Sequence, residues 1–537
     1  MGSLENHENG SDILTYGKVT SEENNTYSDV VEKTVFQMNL YEEPKYIGYG
    51  YRHQQTFLLF ICLTIAYSMR TCMGVALVAM VNSHDKHNDT VNSNGTINLE
   101  ANNQMEMGSV GILNGILYNE PYPTFQWDKK HQDYMLAAFT WGYMILQLPA
   151  GQLAHRFGTR YLLTGALIIN GVVSFCTPWA AYYGNWIFVV ILRMVQGLSQ
   201  SCFVPSIHTA FGKWAPLEER GRLTAFALGG QPLGIVLGLP LTGYIAASSL
   251  GWPGIFRFYG LLSVSVGAIL WFLGADSPAQ HIRISVLERR YIEEALGQTG
   301  SEGKKHLKVP WKSLLRCKAL YAIVIAHMGQ SWGQLTLYTE VPAFMDKVMK
   351  VNIKANGLLT ALPFFVMWVT NFFYSWFTDM LICKKWLTVT NTRKLANTIG
   401  TILPAFGLIA LAYVKKEIVV VETILVLTCA LKIAAHVGCY VNHLDLAPNF
   451  AGTLMSISNF MANAFSSLAP LIAGFILVED VTSEFLWRKV FFIAAGFYVL
   501  SDLVYVIIGS GELQTWNNPQ EATMHTDKCE QKPMLQN

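Results

Sequence analysis

The stretch 185–245, NWIFVVILRMVQGLSQSCFVPSIHTAFGKWAPLEERGRLTAFALGGQPLGIVLGLPLTGYI, decides the fold. It reads as a membrane-spanning helix with a charge in its apolar middle, a short basic turn, and a second, glycine-rich spanning helix. The charge is Arg193. A guanidinium keeps its proton, and placing one at bilayer depth costs at least about 2.5 kcal/mol on insertion scales. Such a cost persists where the charge is used. Arg193, together with Arg70, the other arginine in the middle of an apolar span, is therefore expected to face a water-accessible cavity and hold an anion.

Working outward, the whole chain fits a membrane protein. It has 537 residues, 51% of them hydrophobic and 14% charged, which is too apolar for a soluble chain of that length. A net charge of +1 gives no basic field to neutralise phosphates and excludes a nucleic-acid partner. The nine cysteines show no metal spacing, and those inside apolar runs (Cys62, Cys72, Cys176, Cys202, Cys429, Cys439) read as small packing residues.

Residues 1–53 are polar, lack a signal-peptide core and read as a disordered cytosolic tail. Apolar runs long enough to cross a bilayer then recur at 55–81, 131–153, 160–181, 185–211, 222–248, 252–273, 319–345, 356–381, 393–414, 418–442, 449–478 and 489–510. With the amino terminus inside, Arg156, Arg160, Lys213, Arg220, Arg222, Lys384, Lys385, Arg393 and Lys394 fall in cytosolic turns, as the positive-inside rule requires. Lys347, Lys350, Lys354, Lys415 and Lys416 would be external and do not follow it. The loop 82–130 carries glycosylation acceptors at Asn88 and Asn94, usable on a lumenal or extracellular face.

The turn KWAPLEERGRL after the fourth run resembles HLDLAPNFAGTL after the tenth, and PLTGYI resembles PLIAGFI, each pair about 230 residues apart. A duplication of six helices follows: a first half over 54–273, a cytosolic linker over 274–318 with a short surface helix around Arg283 to Leu296, a second half over 319–510, and a cytosolic tail over 511–537. The fold class is all-α, twelve transmembrane helices in two six-helix halves.

Motifs now converge on a family. GQLAHRFGTR (151–160) resembles the G-x-L-A-D-R-x-G-R-R loop of the major facilitator superfamily, with His155 where the pattern has Asp. RMVQGLSQSCFVPSIHTAFGKWAPLEERGRL (193–223) and NHLDLAPNFAGTLMSISN (442–459) resemble signatures of solute carrier family 17. That branch includes type I sodium-phosphate cotransporters, the lysosomal sialate transporter and vesicular glutamate transporters. The likeness runs from Tyr51 to Trp516 and implies the major facilitator fold.

By that resemblance Arg70, Arg193 and Tyr143 contact the substrate, while His208, Asn442, His443 and Asp445 match the family's histidine low in span four and its NHLD element. Relatives that couple to protons carry R-x-x-E-G-x-x-E in span four, where this chain has Gln196 and Gln200, which do not titrate. It also has Leu136, Gln330 and Leu335 where the glutamate transporters carry a histidine, an arginine and a tyrosine. The paired glutamines resemble the V-Q-G-x-x-Q of the sodium-phosphate group. Asp379, Arg156 and Arg160 are expected in cytosolic gating networks, and the glycines of span five let helices pack closely and slide. His327 and His208 read more readily as hydrogen-bonding residues of the bundle than as proton relays.

The expectation is a monomeric secondary active transporter of inorganic phosphate or small organic anions, sodium-coupled, in the plasma membrane. It touches lipid and a small anionic solute, and needs no cofactor or metal beyond Na+ as coupling ion. The alternatives are a proton-coupled or potential-driven lysosomal or vesicular carrier of sialate or acidic amino acids, and a non-transporting anion receptor. No nucleophile, metal set or carboxylate pair at membrane depth suggests an enzyme.

Overall fold

The computed structural model describes residues 48–81, 124–296, 309–348, 357–414, 417–478, 480 and 482–517. The acceptors Asn88 and Asn94, residues 1–47 of the amino-terminal tail, the linker stretch 297–308 and the tail from 518 lie outside the described residues. Gly50–Asn537 cluster as one compact unit, and everything below lies within it.

Among the described residues, eight helices are long and apolar enough to cross a membrane; one, Thr159–Trp214, runs 56 residues and makes two crossings. With Lys129–Phe157, the segment 318–347 and Gly357–Cys383, which the sequence pattern also marks as spans, the total is twelve. They are numbered here span 1 (Tyr51–Met80), span 2 (Lys129–Phe157), span 3 (159–184), span 4 (186–214), span 5 (Arg220–Ala247), span 6 (Gly251–Leu273), span 7 (318–347), span 8 (Gly357–Cys383), span 9 (Val389–Tyr413), span 10 (Ile418–Leu446), span 11 (Pro448–Ile476) and span 12 (Glu484–Ile508). Large apolar side chains such as Tyr244, Phe272 and Phe475 stand 77%, 78% and 80% exposed, as lipid-facing residues must.

The turn between spans 3 and 4 shrinks to one residue. Asn185 takes φ 57°, and its Oδ1 accepts from Trp127 Nε1 at 2.6 Å and from Trp186 N at 2.8 Å. A short polar side chain bonded locally tolerates a positive φ better than most, which explains why this break falls on Asn. The turn between spans 2 and 3 pivots on Gly158 at φ 88°, where any side chain would run into Asp276.

Of four hydrophobic clusters among the described residues, the two largest carry most of the bundle. One joins spans 1, 3, 4, 5 and 6 through Leu63, Met73, Leu167, Phe211, Leu228 and Tyr259; the other joins spans 7, 9, 10, 11 and 12 through Trp332, Leu408, Cys429, Ala473 and Phe491. Gly230, Gly234 and Gly238 make a stripe on span 5 against Phe60, Thr64 and Ser68 of span 1, so close that a Cβ would meet backbone. Ser68 Oγ donates across this seam to the Gly234 carbonyl at 2.8 Å, two residues before Arg70.

Spans 7 and 10 are not regular. Span 7 passes through a π turn at Thr336–Glu340, and span 10 leaves its helix after Lys432, passing through His436–Tyr440 with Gly438 at φ −85°, ψ −108°. Such single-turn irregularities recur at functional sites and are tolerated at membrane depth where protein or a cavity surrounds them. The linker holds one described helix of ten residues, Val286–Ala295, capped by Ser285, whose hydroxyl accepts from Glu288 N.

Candidate functional site

A cavity of about 350 Å³ lies where the two sets of spans meet. Span 1 contributes Tyr67, Arg70 and Thr71, span 2 Tyr143, span 5 Gln231, span 7 His327, Ser331 and Gln334, and span 11 Asn459 and Asn463. Among the described residues the lining contains a permanent cation and many hydrogen-bond donors but no carboxylate.

The two arginines flagged by the sequence part company here. Arg70 lines the cavity, with its guanidinium carbon 5.1 Å from the Phe139 ring centroid, 5.5 Å from Tyr143 and 5.8 Å from Tyr67. Arg193 does not line it. It is 3% exposed, with its guanidinium 5.0 Å from the same Phe139 ring and its Nη1 donating to Gln196 Oε1 at 2.9 Å. The expectation that both guanidiniums face the cavity is corrected for Arg193. Gly142 of span 2 lies on the Met194 carbonyl and Gly197 of span 4 on the Phe139 carbonyl, and this tight crossing lays Phe139 over Arg193. Neither arginine has a carboxylate within ion-pairing distance among the described residues. Gln200 is buried on the same helix.

Tyr143 Oη accepts from Asn459 Nδ2 at 2.9 Å, bridging spans 2 and 11 at the cavity wall. From His327 in the wall, a cluster of histidines runs back into the bundle. Ser458 Oγ lies 3.2 Å from His327 Nδ1 and 2.7 Å from His443 Nε2. His208 Nδ1 lies 3.0 Å from the Val204 carbonyl and its Nε2 lies 3.2 Å from the Tyr440 carbonyl, which His443 Nδ1 also approaches at 2.9 Å. Spans 4, 7, 10 and 11 are thus tied together by side chains that are 2% exposed or less.

At the end of the bundle that carries the basic turns, Arg220 Nη1 donates to Asp445 Oδ1 at 3.1 Å and Arg393 Nε to Asp445 Oδ2 at 2.7 Å. Asp379 Oδ2 accepts from the Arg222 backbone N at 2.7 Å, a carboxylate on the first turn of span 5 where the helix dipole favours it. Asn442 Nδ2 donates to Tyr505 Oη at 2.8 Å and anchors span 10 on span 12. Arg160 is held through its backbone N to Asp276 at 2.7 Å and through its side chain to the Trp271 carbonyl. Arg156, expected in the same network, has no carboxylate partner among the described residues and lies exposed over the Phe157 ring at the last turn of span 2.

The comparisons agree with this architecture. The model of the Major Facilitator Superfamily matches residues 59–470, well over half of the chain. The chain belongs to the major facilitator superfamily. Its relatives place it in solute carrier family 17. It is 36% identical over 483 residues to a protein of Drosophila ananassae named "Putative inorganic phosphate cotransporter", covering 89% of this chain and 95% of that one. It is 32% identical to human "Sialin" over 87% of this chain and 90% of that one, and 28% identical to mouse "Sodium-dependent phosphate transport protein 1" over 87% and 95%. Among solved structures, the proton:xylose symporter XylE superposes with TM-score 0.57 at 16% identity, over 86% of this chain and 97% of that one, which shows the shared fold. The protein is therefore an integral, multi-pass membrane transporter of the solute carrier 17 type and not an enzyme.

Sequence reasoning missed Lys432, which is 1% exposed with Nζ 3.2 Å from Gln334 Oε1, and the cavity amides Gln334, Asn459 and Asn463. The signal for Lys432 was present: it sits in LVLTCALKIAAHVGCYV, a charge in an apolar run, just as Arg193 does. The amides carry no such mark.

Proposed function

We propose that the protein is a sodium-coupled carrier of inorganic phosphate or a small organic anion, working by alternating access in the plasma membrane. The observation that carries this reading is the Arg70 guanidinium in a donor-rich cavity whose lining, among the described residues, has no carboxylate. A forked cation of that kind suits a phosphate or carboxylate, which it can bind in a bidentate manner.

In this reading Arg70 and Tyr143 contact the anion, and Arg193 raises the positive potential from behind Phe139. Gln196 and Gln200 occupy the span-four positions without titrating, which favours sodium over protons. His208, His443 and Asn442 brace the contact of spans 4, 10 and 12. Asp445, Asp379 and Arg160 hold the basic-turn end, taken as cytosolic, closed while the cavity faces outward; Arg156 stands ready at its rim. Asn88 and Asn94 are the glycosylation acceptors on the outer loop. Moving an anion inward against a negative-inside potential costs about 2.3 kcal/mol per charge per 100 mV, so uptake at the plasma membrane calls for a coupled cation.

The test is uptake of phosphate, urate, glutamate and sialate into proteoliposomes, with sodium, proton and voltage gradients imposed one at a time. Phosphate accumulation driven by inward sodium is expected. Accumulation driven by protons alone would overturn the coupling, and anion binding without accumulation would overturn transport in favour of a receptor.

A further inference from the structure

Lys432 is a cation that Arg70 and its cavity leave unexplained. It ends the regular helix Ile418–Lys432 of span 10 and is 1% exposed. Its ammonium has three N–H groups, and one finds Gln334 Oε1 at 3.2 Å. No carboxylate among the described residues lies within ion-pairing distance; Glu422, on the same span, is ten residues back, roughly 15 Å along a helix. One turn further on, the buried His436 Nδ1 has no hydrogen-bond partner among the described residues. A buried charge without a counter-charge is costly and is kept where it serves a ligand.

Gln334 is the link to the cavity. It lines the cavity between Ser331 and Tyr338 on span 7, just before the π turn at Thr336–Glu340. With its Oε1 engaged by the ammonium, its own N–H groups remain to be offered to a bound anion. Arg70 approaches the same cavity from span 1, so one cation stands on each set of spans.

We propose that Lys432, acting through Gln334, adds a positive charge to the cavity from the second set of spans, opposite Arg70, and makes the carrier select doubly charged anions, such as hydrogenphosphate, sulfate or a dicarboxylate, over singly charged ones of the same size. This rests on the anion-carrier reading above. Lys432 is a positioning residue: it orients Gln334 and sets the field, while Arg70 makes the direct contact. A dianion held between the two cations also draws the two sets of spans together, which a monoanion does less well.

The test uses the full chain in proteoliposomes under an inward sodium gradient. Uptake of radiolabelled phosphate is inhibited with succinate and with succinamate, which share a skeleton and differ by one charge. The parent is expected to prefer succinate by about tenfold, the size of effect one charge has across a partly desolvated gap. Lys432→Gln should bring that ratio close to one and raise the phosphate KM with little change in kcat, while Lys432→Arg restores both. Gln334→Glu, which leaves the lysine in place and cancels its charge, should lose the preference in the same way. If Lys432→Gln and Gln334→Glu both keep the parent's ratio, or if the parent itself shows no preference, this inference is overturned while the carrier reading stands. A parent that accumulates none of phosphate, urate, glutamate or sialate overturns the carrier reading, and this inference with it.

Discussion

Arg220 of span 5 donates to the Leu444 carbonyl and to the Asp445 carboxylate of span 10, both at 3.1 Å, so the two copies of the repeated turn are bonded to each other. Asp445 is shared: its second oxygen holds Arg393, which also donates to the Val437 carbonyl at 3.0 Å. Removing the carboxylate strands two buried guanidiniums, whereas removing Arg220 leaves Asp445 still paired. Asp445→Ala is therefore expected to lose about 3–5 kcal/mol, and Arg220→Met clearly less. Thermal unfolding of the detergent-solubilised variants checks the order, and equal losses would show that the shared carboxylate is not the centre of the clamp.

Gly452 marks the place where spans 4 and 11 cross, with Thr209 Oγ1 and the Pro205 carbonyl against its Cα. Nearby, Gly151 N donates to Ser456 Oγ at 2.7 Å. A methyl group at 452 cannot be accommodated by rotating Thr209 alone, because a backbone carbonyl stands beside it. Gly452→Ala is expected to insert normally and to favour the state opened at this end. A cysteine placed at 456, where the serine is fully buried, should then react with an impermeant thiol reagent several-fold faster than in the parent. Unchanged labelling would mean that the crossing does not separate during transport.

Arg70 and Tyr143 stand on opposite sides of a distinction between charge and shape. Arg70→Ala removes the cavity's guanidinium and should reduce uptake at least a hundredfold, a loss on the scale of about 3 kcal/mol for a charge-assisted contact. Tyr143→Phe leaves the ring against Arg70 and strands one N–H of Asn459, an effect of about 1 kcal/mol. A KM raised a few-fold with kcat retained is expected. Concentration dependence of uptake separates the two, and near-normal transport by Arg70→Ala would remove the basis for an anion site.

The fold was legible because each spanning helix announces itself by length and apolarity, and because the turns at 213–223 and 443–454 repeat. Arg70 was legible for the same reason, as a charge where lipid should be. Which way Arg193 faces was not, because that depends on Gly142 and Gly197 bringing spans 2 and 4 into contact, and a glycine in a sequence does not name the helix it will touch. Amides such as Asn459 and Gln334 look alike at a packed interface and in a cavity, so only the structure separates them from Gln330, whose Nε2 is spent on Gly400 and Thr401. The breaks in spans 7 and 10 also escaped, since the runs that contain them read as continuous helices.

Arg193 poses the sharpest case. It does not line the cavity, yet it is buried and permanently charged; its Nη1 donates to a neutral partner, Gln196, while its Nε has no hydrogen-bond partner among the described residues. If its role is to raise the potential felt by the anion through Phe139, then charge matters and contact does not. Arg193→Ala should abolish uptake while the protein still reaches the membrane, and Arg193→Lys should retain a measurable part. Gln196→Glu is the more telling variant: it keeps the arginine and its hydrogen bond but cancels the charge and adds a titrating group one turn from it. Reduced phosphate affinity is expected, with uptake recovering as the pH falls and the new carboxylate takes up a proton. Phosphate KM measured across pH in proteoliposomes decides this, and a Gln196→Glu variant with the parent's KM at every pH would show that Arg193 only holds spans 2 and 4 together.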